Sequence, residues 1–147
     1  MRKIGTLLAI AVLAAIAAGV TASPALANGC TPGFWKNHTA IYDENATLSS
    51  VGIVVPASLG LGDPSLITAL NYGGGPGVKG AAKNLLRHGA AAYLNSVHLD
   101  FVLTMWVLES LNVALASLDA DMMEAHKNHW ANLNETLGCP DAKSIGA

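Results

Sequence analysis

Charge is scarce in this 147-residue chain: Asp, Glu, Lys and Arg make up 12% of it, and aromatic residues only 5%. With 52% hydrophobic residues, that composition excludes a disordered or collagen-like protein. Several catalytic signatures are also missing. There is no Gly-x-Ser-x-Gly elbow to expose a serine nucleophile. A His-Glu-x-x-His zinc motif is absent too, because His126-Lys127-Asn128-His129 has the wrong spacing and no glutamate between its histidines. Gly73 to Gly77 precede Lys79, but Val78 and Gly80 flank that lysine and a helical pattern lies upstream, so the run is a turn and not a phosphate loop. The weight is therefore against an enzyme.

Hydrophobicity is concentrated at the start. Ile4 to Val20 carries no charge, Arg2 and Lys3 precede it, and Ala25-Leu26-Ala27 supplies a small-x-small cleavage site. This pattern reads as a signal peptide over residues 1–27, leaving one domain over 28–147 and a secreted or cell-surface location, with no membrane span after cleavage. The alternative, an uncleaved span, has only 17 residues to work with. Without Arg2 and Lys3, six Lys and Arg face ten Asp and Glu, a net charge of −4 that argues against a nucleic-acid partner.

The two cysteines, Cys30 and Cys139, read as a disulfide in an exported chain, closing 109 positions for about 4–5 kcal/mol on the chain-entropy estimate. The competing reading acylates Cys30, although Ala27-Asn28-Gly29 fits a lipoprotein signal poorly. Between Cys30 and Ser58 no period is sustained, which predicts loop with one short strand near Val51 to Val55. Asp63-Pro64 announces a short helix, and residues 79–97 repeat apolar side chains every three or four positions. Leu99 to Leu118, apolar on nearly every side, is expected to be the most buried helix, and a third long helix starts with Asp121 as cap and ends at Gly138. The expected fold is all-α, a small single-domain bundle of three main helices plus a short one, with an irregular N-terminal segment tied by the disulfide.

Five histidines are the only plausible metal-ligand set. His126 and His129 lie one turn apart, and with His38 or His88 they could hold zinc or copper, copper being favoured by Met122 and Met123. The apolar stripe of that helix is read as Met122, His126, Trp130, Leu133 and Leu137. The other reading is a buried histidine bonded to the fold, with no cofactor required. Glu109, in the middle of the apolar helix, needs a buried partner, and Arg87 with His88 could supply it. Trp35 either stacks a carbohydrate or plugs the core beside the disulfide. Asn37, Asn45 and Asn134 each open an Asn-x-Thr acceptor sequence.

Three blocks carry a resemblance: Cys30-Thr31-Pro32-Gly33-Phe34-Trp35-Lys36-Asn37-His38, then Leu85 to Asn95, then Asn132 to Pro140. Together they resemble exported microbial proteins with a CTxG(F/Y)WKNH motif, an LLRHAxAALLNA-like helix and a closing GCP. The resemblance implies an extracellular domain closed by Cys30 and Cys139, with Trp35, Lys36, Asn37, His38, Arg87, His88 and Asn95 as shared residues to which it assigns no role. It implies no activity. Gly89 and Tyr93 depart from the pattern, where alanine and leucine are expected, which predicts extra space beside that helix. Two functions follow: a non-enzymatic structural or interaction module meeting a cell-surface protein, a carbohydrate or a second copy of itself, or a metal-binding protein with hydrolytic or redox chemistry.

Overall fold

The computed structural model describes residues 29–99 and 101–145. The expected signal peptide and its cleavage point lie outside them. The described residues form five α-helices: α1 (Pro32–Lys36), α2 (Leu66–Leu70), α3 (Gly77–His98), α4 (Thr104–Ser117) and α5 (Ala120–Thr136). Single 3-10 turns occur at Thr39–Ile41, Ser49–Val51, Ala57–Leu59 and Ala142–Ser144. No strand forms among the described residues, so the one expected near Val51 is instead a 3-10 turn followed by irregular chain. Cys30 is bonded to Cys139, with Cα atoms 4.6 Å apart. The all-α bundle of three long helices with a disulfide-tied N-terminal segment is the architecture found, with α1 as an addition.

The central helix is α3, not α4. It packs against α1, α2, α4 and α5, and it buries Ala81, Ala82, Leu85, Leu86, Gly89, Ala90, Ala91, Ala92, Leu94 and Asn95. Small side chains lower its hydropathy but let neighbouring helices approach on several sides, and close approach is what buries a helix. By contrast, α4 buries Val107, Leu111, Ala114 and Leu115 and leaves Leu103, Met105, Trp106 and Val113 more than half exposed. The α3–α4 contact is set by Gly89. A Cβ there would lie 2.3 Å from Leu111 Cδ2, so the space expected at this glycine is filled by the leucine.

Local chemistry explains the ends. Thr31 caps α1 by accepting the Phe34 N–H, and Pro32 sits where a missing N–H costs nothing. Ser65, two residues beyond the expected cap Asp63, caps α2 by accepting the Thr68 N–H. At the α4–α5 turn Leu118 adopts a left-handed conformation (φ 53°), and Asp119, not Asp121, accepts the Met122 N–H at 2.9 Å. The long connection between α1 and α2 is held by Leu48 N–H to the Pro64 carbonyl (2.9 Å), and Leu66 N–H to the Ala46 carbonyl (2.9 Å). Asn112 of α4 grips it from outside: Nδ2 donates to the Gly52 carbonyl (2.9 Å) and Oδ1 accepts the Val54 N–H (2.8 Å). Among the described residues no helix is long and apolar enough to cross a membrane.

Candidate functional site

Two of the residues singled out by sequence, Trp35 and Asn95, meet at one place, the junction of the N-terminal arm with α3 and α5. Asn95 is fully buried there. Its Oδ1 accepts the Cys30 N–H and the Trp35 Nε1–H, both at 2.9 Å, while its Nδ2 donates to the Cys30 carbonyl at 3.0 Å and to Asn134 Oδ1 at 2.8 Å. A carboxamide has two acceptor positions and two donors, so all four are used. Asn134, only 1% exposed on α5, continues the chain by donating to the His88 carbonyl at 3.0 Å. Gly29 runs so close to α5 that a Cβ would meet the Leu133 carbonyl at 2.7 Å. Asn134 is the residue that sequence reasoning missed. Its signal was its place one turn after Trp130, in register with the buried side of α5.

The Trp35 to His38 block is the end of a helix. Trp35 is fully buried, in edge contact with Phe34 and Tyr42 at 5.3 and 6.0 Å, and its burial removes the carbohydrate-stacking reading. Tyr42 donates to the Trp35 carbonyl, and burial, assisted by Glu44, pushes its phenol up to about 12. Asn37 and His38 close the open carbonyls of α1: Asn37 Nδ2 donates to Gly33 at 2.9 Å, and His38 Nδ1–H donates to Phe34 at 2.7 Å while its ring stacks on Phe34. Lys36 is exposed in the last turn, where its charge complements the helix dipole.

The four histidines read as ligands are dispersed in their contacts. His38 is the α1 cap just described. His126 is half-buried and hydrogen-bonded through Nδ1 to Ser110 Oγ at 2.7 Å, bridging α5 to α4. His129 is exposed beside Trp130. His88 is half-buried with a fully shielded Nδ1 that has no partner, as is true of Trp130 Nε1. Burial, reinforced by Arg87 and Lys127, holds the His88 imidazole below its usual value. Among the described residues no group of three His, Cys, Asp or Glu side chains is placed to hold a metal ion. The buried stripe of α5 is Met123, Trp130 and Asn134, and Met122 lies exposed.

The expected Arg87–Glu109 pair does not form. Glu109 is exposed on α4, where water solvates it without a partner, and Arg87 is half-buried on α3. The ion pair found among the described residues is Lys127 with Glu124, one turn apart on α5. Comparison with protein-family models, with characterised proteins and with solved structures gives no match to this chain.

Proposed function

We propose that the protein is an exported, non-enzymatic structural or interaction module, whose distinctive polar residues maintain its shape. The Asn95 junction supports this reading. Trp35 and Asn95 turn inward, and Asn37 and His38 finish a helix, so four of the seven residues of the shared motifs are committed to the fold. The disulfide, with no helix among the described residues long and apolar enough to cross a membrane, is compatible with export. Such a module needs no cofactor, and its partners are other surfaces at the cell exterior.

Native mass spectrometry of the oxidised protein, without chelator, tests the reading. The expected spectrum has the mass of the polypeptide alone or of a multimer, two hydrogens light, and is unchanged after zinc or copper is added and desalted away. A stoichiometric metal that survives desalting and is lost in a His126→Ala variant would overturn it in favour of the histidine alternative.

A further inference from the structure

The two sulfurs of the bridge belong to residues with opposite surroundings. Cys30 is fully buried, and its peptide N–H and carbonyl are both held by the Asn95 carboxamide. Cys139 is exposed, beyond the end of α5 and next to Gly138, whose backbone is left-handed (φ 66°). The segment it anchors, residues 137–145, makes its hydrogen bonds within itself among the described residues: Ser144 to the Asp141 carbonyl, and Ile145 N–H to that of Ala142. The arm is thus fastened twice, once by the bridge and once by Asn95, whereas the tail has the bridge as its covalent fastening and, beyond it, the packing of Ile145 against the core.

We propose that Cys139 is a site of thiol exchange, at which a small thiol such as glutathione forms a mixed disulfide that frees the C-terminal tail while the N-terminal arm stays docked. The attacking thiolate forms a bond to Cys139 Sγ, and the Cys30–Cys139 bond breaks. Its electron pair leaves on Cys30 Sγ, which takes up the proton released by the incoming thiol. One thiol and one disulfide are consumed, and one mixed disulfide and one thiol are produced, with no further oxidant or reductant. The direction follows from access, since Cys139 is the exposed residue of the pair and Cys30 is fully buried. A buried thiol stays protonated, which makes Cys30 a poor nucleophile while it is enclosed. Asn95 holds the Cys30 backbone in place, so the bridge re-forms when the external thiol is withdrawn, slowly, because the buried thiol must lose its proton before it attacks the adduct sulfur.

The test incubates the oxidised, folded protein with reduced glutathione, quenches with acid and maps the adducts by peptide mass spectrometry. The expected result is an adduct on Cys139 in excess over Cys30 by at least about tenfold. Hydrogen exchange on the same sample should rise in residues 137–145 and stay unchanged in 30–36. Adducts on Cys30, adducts spread equally, or none on the folded protein while the urea-unfolded chain reacts, would each overturn the proposal. So would loss of protection in the arm, because the Asn95 clasp would then depend on the bridge.

Discussion

Asn95 spends its entire carboxamide on the fold, and truncating it strands four groups at once: the Cys30 N–H and carbonyl, the Trp35 indole N–H and Asn134 Oδ1. A buried polar group left without a partner costs about 1–3 kcal/mol, so Asn95→Ala is expected to lower the unfolding free energy by at least about 3 kcal/mol in a urea titration. A loss below about 1 kcal/mol would show that water repairs the junction. His88 gives a pH signature. Its folded-state pKa is depressed, first by burial and then by Arg87 and Lys127, against the opposing pull of Glu135 and Glu124. The unfolded chain therefore binds the proton more readily. The stability contributed by neutral His88 is complete above the ordinary value of 6.5 and is lost as the pH falls below it toward the folded value. Urea midpoints of wild type and His88→Gln should diverge at neutral pH and approach each other under acid conditions. A constant difference across that range would assign the acid sensitivity elsewhere, with His98 the next group to test, since burial depresses it too.

Among the elements, α3 was legible because its apolar spacing runs unbroken for more than five turns, and the span read, 79–97, lies inside the observed one. Which long helix sits in the centre was not legible. Hydropathy ranks α4 above α3, whereas burial follows how many sides of a helix are packed, and alanine and glycine decide that through backbone approach. On α5 the stripe read from sequence holds at Trp130 and Leu133 but fails at Met122, which is exposed where Met123 is buried, and it leaves out an asparagine that belongs to it. Residues Met123, Trp130 and Asn134 repeat with helical spacing, but a polar member is invisible to a count of apolar side chains. The five-residue α1 is too short to show a period, although Thr31-Pro32 carried its start signal. The α3–α4 contact makes its own prediction. Gly89→Ala gains about 1 kcal/mol of helix propensity but drives a methyl group into Leu111, and overpacking costs about 1–3 kcal/mol. The net change is expected to be destabilising in the wild type and stabilising in a Leu111→Val background, read as melting temperatures of the four combinations. A stabilising Gly89→Ala in both backgrounds would mean that Leu111 turns aside freely.

For the whole molecule, the bridge and the clasp act on the same arm by different means: the disulfide restricts the unfolded chain, and Asn95 rewards the folded one. Replacing both cysteines, Cys30→Ser with Cys139→Ser, is expected to cost about 2–5 kcal/mol while leaving the helical circular dichroism intact, because α3, α4 and α5 pack without the bridge. Collapse of the helical signal at room temperature would show that the tie supplies most of the stability. The order of these fastenings also has a consequence in time. Cys30 opens the domain, yet the side chain that grips it lies 65 residues later, that side chain's own neighbour a further 39, and the sulfur it joins 109 away. A chain made from its N-terminus can therefore dock its first segment on Tyr42 and α2 early, but it has no clasp for that segment until Asn95 is made and no bridge until Cys139 follows. The covalent fastening of this early segment is thus among the last contacts the growing chain can make, and its sulfur is the group with longest to wait for its partner.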